Sequence, residues 1–189
     1  MSVITFNKED HTYHDEQGAR WPSVTEVLGG VGLIDFSGVN YSVLERGRDR
    51  GSKVHEMLWY FDEGDLDESS IDPALMPYLE GYKKFLEESG FEPELIEFEV
   101  HHDTYKFAGT LDRTGFMDRE QVLFDIKTGQ VDRWCALQTA AYEMCLVGFY
   151  HRYALQLTAE GKYKLHKYSD HRDRQVWLSC LAVYNWKGK

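Results

Sequence analysis

The chain has few of the features that mark several common protein classes. It contains only 4 prolines, while 42% of its residues are hydrophobic and 14% aromatic, so the composition typical of disordered chains is absent. Its longest stretch without a formal charge, Gln175 to Trp186, falls well short of the roughly 20 apolar residues of a membrane-spanning helix. We therefore expect a globular protein that does not bind or cross a membrane.

Cysteine is scarce as well. Cys135, Cys145 and Cys180 are an odd number, and their spacing matches no zinc-binding pattern, so we expect reduced thiols. The first residues show neither the basic start and apolar core of a secretory signal nor the Arg-rich character of a transit peptide. Together these absences predict a cytoplasmic location.

Positive charge is in deficit, because 21 Lys and Arg residues stand against 32 Asp and Glu residues, a net charge of −11. Proteins that coat nucleic acids usually present a basic surface, so a general nucleic-acid coat is excluded. A polyanion contact must be local or assisted by a bound cation. The one dense basic segment, Arg46 to Lys53, is explained equally well by a solvated helix face.

The hydrophobic pattern predicts segregated helices and strands. It predicts a hairpin at 6–21 and three helices, from the cap at 23 to 30, at 39–61 and from the cap at 72 to 90. Three consecutive antiparallel strands follow at 95–101, 105–116 and 121–126, then a helix at 134–146, a strand pair at 153–158 and 163–168, and a last helix that begins at 170 or 173 and runs to 181. The sequence shows no internal repeat and no linker. We therefore expect the α+β class, with residues 1–189 forming a single domain.

Three charged side chains fall where a strand should be apolar: Asp112, Asp125 and Lys127. In a strand, Asp125 and Lys127 point to one face and Ile126 points to the opposite, core side. If a neighbouring strand brings Asp112 beside Asp125, the two carboxylates repel unless a divalent cation joins them. Oxygen ligands suit Mg²⁺ or Mn²⁺, and a lysine beside them can orient or deprotonate a water. The set predicts a phosphodiesterase site, although each residue alone is equally well explained by a turn or an ordinary ion pair.

Four segments between residues 22 and 142 resemble motifs of the PD-(D/E)XK nuclease superfamily, and they follow one another along the chain in the same order as in that family. Asp112 followed by Asp125-Ile126-Lys127 resembles its catalytic core, and Gln138-Thr139-Ala140-Ala141-Tyr142 is similar to the QxxxY helix of the RecB-like branch. Gly51-Ser52-Lys53-Val54-His55-Glu56 resembles the histidine motif of that branch. Pro22-Ser23-Val24-Thr25 resembles a segment of phage and mitochondrial-genome-maintenance exonucleases.

The resemblance implies a restriction-endonuclease-like core, in which a three-stranded antiparallel meander precedes a helix and a further strand pair, flanked by helices. An N-terminal hairpin and helical region, residues 1–90, would pack on the catalytic core, residues 91–189. The implied metal ligands are the side chains of His55, Asp112 and Asp125 and the carbonyl of Ile126. The implied catalytic residues are Asp112, Asp125 and Lys127, with Lys127 acting at the nucleophilic water.

Further side chains are candidates for substrate contacts. Gln138 and Tyr142 lie four residues apart on a helix, so they share a face and can hydrogen-bond a phosphate or the catalytic lysine; helix packing is the alternative. Basic side chains upstream of the histidine motif would flank the scissile strand in this interpretation: Arg46, Arg48, Arg50 and Lys53.

An additional acid is expected near the metal. Glu97 and Glu99 lie two residues apart on a predicted strand and so share a face, where either carboxylate could approach the cation. A solvated strand face is an equally good explanation of both. Between the two, we favour Glu99.

The resemblance implies a deoxyribonuclease that depends on Mg²⁺ or Mn²⁺, and it favours an exonuclease over an endonuclease. The implied substrate is single-stranded DNA or the end of a duplex. The implied role is in phage or prophage DNA processing or recombination. A phage enzyme would work in the host cytoplasm. The cysteines match no iron–sulfur framework and no phosphate-binding loop is present, so we expect neither an iron–sulfur cluster nor ATP as a cofactor.

The alternative to a nuclease is a non-catalytic DNA-binding or assembly subunit that keeps the fold. Its aromatic side chains Trp59, Tyr60 and Trp134 would stack on DNA strands. These residues specify no oligomeric state.

Overall fold

The computed structural model describes residues 3–7 and 10–188. Its helices and strands are β1 (Ile4–Asn7), β2 (Thr12–Asp15), β3 (Arg20–Trp21), α1 (Val24–Gly30), α2 (Tyr41–Asp62), α3 (Met76–Ser89), β4 (Glu92–His102), β5 (Phe107–Met117), β6 (Glu120–Lys127), α4 (Cys135–Met144), β7 (His151–Leu157), β8 (Tyr163–Tyr168) and α5 (Asp173–Lys187). This order confirms the α+β class. No helix in the described part of the chain combines the length and apolar character needed to cross a bilayer.

The main sheet has five strands in the order β4-β5-β6-β7-β8. Strands β4, β5 and β6 form the predicted antiparallel meander. Because α4 lies between β6 and β7 in the chain, β7 returns parallel to β6, and β8 then pairs antiparallel with β7. In the smaller sheet, β1-β2-β3, strands β2 and β3 form the predicted N-terminal hairpin.

Two hydrophobic clusters lie on opposite faces of the main sheet. On one face, α2 and α3 pack against Phe124 and Ile126 of β6. On the other face, α1, α4 and α5 pack against Leu123. Side chains alternate along β6, so Ile126 packs into one of these clusters. Asp125 and Lys127 share the opposite face of the strand, as predicted. This is the face of Leu123, which lies toward α4. The proposed division at residue 90 stays a prediction.

Local signals explain the helix ends that matter for the site. Ser23 caps α1, because its Oγ accepts a hydrogen bond from the Glu26 N–H at 3.1 Å. Gly90 ends α3 in a left-handed conformation, with φ of 61°. The α3 helix begins later than the sequence predicts, at Met76, because Asp72 instead accepts a hydrogen bond from the nearby Ala74 N–H and closes a turn.

Candidate metal centre and active site

Two carboxylates meet where β5 and β6 separate. Arg113 pairs with Phe124 across the two strands, which brings the preceding Asp112 next to the following Asp125. Beyond that pair, the Ile126 N–H donates a hydrogen bond to Asp112 Oδ2 at 2.5 Å. Asp112 is 8% and Asp125 1% exposed. The register thus encloses two acidic groups side by side, which is costly unless positive charge compensates them.

The imidazole of His55 reaches this point from α2. Its Nδ1 atom lies 3.2 Å from Glu97 Oε1 and 3.6 Å from Asp112 Oδ1, and its Nε2 atom lies 3.1 Å from the Ile126 carbonyl oxygen. One ligand atom each from His55, Glu97 and Asp112 lies within 4.8 Å of the others. The ring therefore stands between two carboxylates and a backbone carbonyl, an arrangement with the donors of a small metal site.

The protonation of this cluster shows a need for positive charge. Burial, together with the negative charges of Asp125 and Glu97, raises the pKa of Asp112 to about 7. Burial alone would lower the pKa of His55, but the charges of Asp112 and Glu97 outweigh it and raise that pKa to about 9. Protons thus compensate the buried carboxylates, and a divalent cation can take over that function.

The donor set fits a divalent cation. Carboxylate and carbonyl oxygens are the ligands that Mg²⁺ and Mn²⁺ prefer, and an imidazole nitrogen is acceptable to Mn²⁺. His55, Glu97, Asp112 and the Ile126 carbonyl would hold the ion. Asp125 lies next to this set, with its carboxylate oriented toward Lys127, and its predicted role as a metal ligand stays a prediction.

Lys127 is held at the edge of the cluster by three neighbours. Its Nζ atom lies 2.7 Å from Asp125 Oδ2 and donates a hydrogen bond to Gln138 Oε1 at 3.2 Å. The same atom lies 5.2 Å from the centroid of the Trp134 ring, within cation–π range. Burial lowers the pKa of Lys127, but Asp125 and Asp112 outweigh that effect and raise it above its ordinary value. The ammonium group is therefore both oriented and kept positive.

The hydrogen bond to Lys127 continues along α4. Gln138 Nε2 donates to the Tyr142 hydroxyl at 3.2 Å, and both side chains are buried. Gln138 therefore links the Tyr142 hydroxyl to Lys127 through two hydrogen bonds. Direct contact of Gln138 or Tyr142 with substrate stays a prediction. The Tyr142 ring lies against Gly109, where an added Cβ would come within 2.6 Å of a ring carbon. Only glycine fits there without displacing the ring.

The structure corrects the preference for Glu99 as the additional acid. Glu97 adopts a left-handed backbone conformation, with φ of 46°, which interrupts the regular alternation of β4. Its carboxylate consequently faces His55, while Glu99 is exposed. The two acids therefore lie in different environments, and Glu97 is the one that joins the cluster.

A buried arginine supports Glu97 and was not identified from the sequence. Arg113 is 0% exposed and binds Asp62 Oδ2 at 2.6 Å, Glu97 Oε1 at 3.0 Å and the Asp112 carbonyl oxygen at 2.6 Å. The Tyr82 hydroxyl donates to the Asp62 carboxylate at 2.9 Å. This network joins α2 and α3 to β4 and β5 behind the cluster. The available signal was a charged residue within the otherwise apolar β5, next to Asp112.

One of the four predicted basic side chains reaches the loop after Lys127. The Arg50 guanidinium donates to the carbonyl oxygen of Thr128 at 3.4 Å and lies 6.0 Å from the Tyr78 ring centroid. It therefore anchors α2 to the segment that directly follows Lys127.

The other three basic side chains lie on exposed parts of α2. Lys53 binds Asp49 at 2.8 Å, one helical turn away. The Arg48 guanidinium lies 5.9 Å from the ring centroid of Phe36, in the connection between α1 and α2. Arg46 is exposed. The structure does not bring these three side chains to the cluster of His55, Glu97 and Asp112, and their contact with DNA stays a prediction.

Comparison with known proteins gives similarity in structure only. No protein-family model and no curated protein matches this sequence. The chain is similar to the crystal structure of an alkaline exonuclease, LHK-Exo, from Laribacter hongkongensis, with 13% identity, a TM-score of 0.49 and coverage of 87% of this chain and 86% of that chain. It is similar to LHK-Exo in complex with dAMP to the same degree, with 13% identity, a TM-score of 0.49 and coverage of 88% and 87%.

Proposed function

We propose that this protein is a deoxyribonuclease that depends on Mg²⁺ or Mn²⁺ and degrades DNA from an end, in phage or prophage DNA processing or recombination. The observation that carries the proposal is the convergence of His55, Glu97, Asp112 and the Ile126 carbonyl beside the Asp125–Lys127 pair. The order of the sequence motifs supports DNA as the substrate, and the resemblance to phage exonucleases favours an exonuclease.

Each side chain has a distinct role in hydrolysis. A divalent cation bound by the cluster would acidify a water and stabilise the negative charge that develops on the phosphoryl oxygens. Lys127 donates hydrogen bonds to the attacking water or to a phosphoryl oxygen, and Asp125 and Gln138 orient its ammonium group. The water oxygen gives up one proton to the solvent as it forms a bond to phosphorus, the bond to the leaving oxygen breaks, and that oxygen takes up a proton from the solvent.

The test uses end-labelled DNA, both single-stranded and duplex, as linear and circular molecules. The wild-type protein is incubated with Mg²⁺, Mn²⁺ or EDTA, beside Asp112→Asn, Lys127→Ala and a surface control, Lys187→Ala. We expect cutting of linear but not circular DNA, loss of cutting in EDTA and in the two site variants, and normal cutting by the control.

Three results would contradict parts of this proposal. Cutting of circular DNA would replace the exonuclease by an endonuclease, and substantial turnover by Lys127→Ala would remove its assigned role. Binding of DNA without cutting under any condition would favour the alternative, a non-catalytic subunit that keeps the fold.

A further inference from the structure

A cavity of about 1000 Å³ lies next to the candidate active site. Its walls come from the connection between α1 and α2, the start of α4, the end of β8 and the start of α5. Three aromatic side chains line it: Phe36, Trp134 and Tyr168. The volume is at the upper end of the range of about 300 to 1000 Å³ that ligand sites occupy.

The charges around the cavity nearly cancel. Four carboxylates and three basic groups line it: Asp35, Asp132, Asp170, Asp173, Arg133, Lys167 and Arg172. Asp170 binds Arg172 at 2.7 Å, and Asp173 binds the buried Arg152 at 3.0 Å, so both acids are neutralised locally. A cavity with aromatic walls and little net charge suits nucleobases better than phosphates.

Positive side chains stand at two edges of this cavity. Trp134 belongs to the cavity wall and also contacts Lys127, whose Nζ atom is 5.2 Å from the ring centroid. Phe36 also lines the cavity and lies 5.9 Å from the Arg48 guanidinium. A strand that places phosphates near Lys127 and Arg48 would therefore turn its bases toward the rings between them.

We propose that this cavity binds unpaired nucleobases adjacent to the scissile phosphate, by stacking on Trp134 and Phe36. Bases in a duplex are already paired and stacked, so the substrate must present a single-stranded segment at the site. The inference rests on the proposed function and deepens it, because it specifies the form of DNA that enters the active site. Stacking on aromatic side chains is tolerant of sequence, so the site selects strand form and not base identity.

The test measures DNA binding in EDTA by fluorescence anisotropy, so that cleavage does not contribute. The probes are a labelled single strand of about 12 nucleotides, within the range of known site sizes, an abasic strand of equal length and a blunt duplex. The abasic strand keeps the phosphate charge and lacks only the bases. We expect wild-type protein to bind the base-bearing strand about 5- to 150-fold more tightly than the abasic strand, the range that stacking of one base provides.

Four variants test which side chains produce the preference for the base-bearing strand. Trp134→Ala and Phe36→Ala should each reduce the preference for the base-bearing strand, while Trp134→Phe, which keeps an aromatic ring, should retain most of it. Trp186→Ala is the matched control, because Trp186 is 77% exposed and does not line the cavity. Thermal melting of each variant shows whether a loss of binding reflects unfolding.

The outcomes separate this inference from the proposed function. Equal binding of base-bearing and abasic strands by wild-type protein would overturn the inference, as would an undiminished preference in folded Trp134→Ala and Phe36→Ala proteins. DNA cutting without any base-dependent binding would leave the nuclease proposal intact and remove the stacking site. Base-dependent binding that requires Trp134, in a protein that never cuts DNA, would support the stacking site and overturn the nuclease proposal.

Discussion

The Nε2 atom of His55 lies 3.1 Å from the carbonyl oxygen of Ile126, although 71 positions separate the two residues. This contact brings a helical imidazole to the backbone of the strand that carries Asp125 and Lys127. A carbonyl oxygen and an imidazole nitrogen so close together are both available to one cation. The relationship therefore locates the candidate metal centre between α2 and β6.

Replacing His55 by alanine should weaken Mn²⁺ binding. Loss of an outer-shell partner already reduces metal affinity about 10- to 100-fold, so loss of a ligand should cost at least about 10-fold. Isothermal titration with Mn²⁺ measures the effect. His171→Ala is the control, since His171 is exposed on the approach to α5. Equal affinity in the wild-type and His55→Ala proteins would exclude His55 as a ligand.

Metal affinity should rise with pH. In the metal-free protein, the pKa of Asp112 is raised to about 7 and that of His55 to about 9, so both groups hold protons at low pH. A cation must displace those protons, which makes binding weaker below these pKa values and stronger as pH rises through them. Between pH 6 and 8.5 the apparent affinity should increase by up to about tenfold per unit for each proton displaced. Titrations in two buffers of different ionisation enthalpy count the protons, and a pH-independent affinity would contradict the prediction.

Replacing Arg113 by methionine should destabilise the protein. The change leaves the buried Asp62 carboxylate without its positively charged partner, and breaking a buried ion pair from one side costs about 3–5 kcal/mol. Urea unfolding measures this free energy. The double variant Arg113→Met with Asp62→Leu should regain part of it, because it removes the unpaired charge as well.

The exposed ion pair between Arg20 and Glu26 provides the comparison for Arg113. Arg20→Ala should change the free energy of unfolding by about 1 kcal/mol or less. A similarly small effect of Arg113→Met would show that the buried network contributes little to stability. Because Arg113 also binds Glu97, its loss should lower Mn²⁺ affinity about 10- to 100-fold.

Replacing Gly109 by alanine should disturb the active site through Tyr142. The new Cβ would come within 2.6 Å of the Tyr142 ring, and overpacking of this kind costs about 1–3 kcal/mol. Displacement of the ring also moves the acceptor that holds Gln138, and with it Lys127, so DNA cutting should fall more than stability alone explains. Thermal melting and a cutting assay on folded protein measure the two effects.

Gly47→Ala is the matched control for this substitution. Gly47 lies within α2, and a Cβ there meets no other atom within 4 Å. Because alanine favours helices, the change should stabilise the protein by up to about 1 kcal/mol. Normal melting and cutting by the Gly109→Ala protein would contradict the close packing of Tyr142.

The strands and their order could be predicted because the spacing of apolar residues changes clearly along the chain, from helical spacing to the alternation of a strand. The predicted β8 matches the observed Tyr163–Tyr168, and the meander β4-β5-β6 is confirmed within a few residues at each end. The α5 helix continues to Lys187, beyond the predicted end near Leu181, because the last turn contains no glycine or proline to stop it before Gly188. The parallel pairing of β6 with β7 was not predicted, since period alone does not give strand direction.

The choice between Glu97 and Glu99 shows where sequence reasoning reached its limit. A regular strand places both carboxylates on one face, so nothing in the spacing separates them. The left-handed backbone at Glu97 breaks that rule, and a glutamate gives no sequence signal for such a conformation. The ion pair between the buried Arg113 and Glu97, at 3.0 Å, offsets part of the free-energy cost of this backbone conformation.

The sequence by itself determined which side chains of β6 share a face, because alternation in a strand is a local property of the backbone. It therefore placed Asp125 and Lys127 together and sent Ile126 to the opposite core. Only the tertiary structure decided that His55, Glu97 and Asp112 meet, that Arg113 and Asp62 support them, and that a ring-lined cavity adjoins Lys127. The contacts among His55, Asp62, Glu97, Asp112 and Arg113 join residues 15 to 57 positions apart in the chain, so they depend on how helices pack across the sheet and not on any local period.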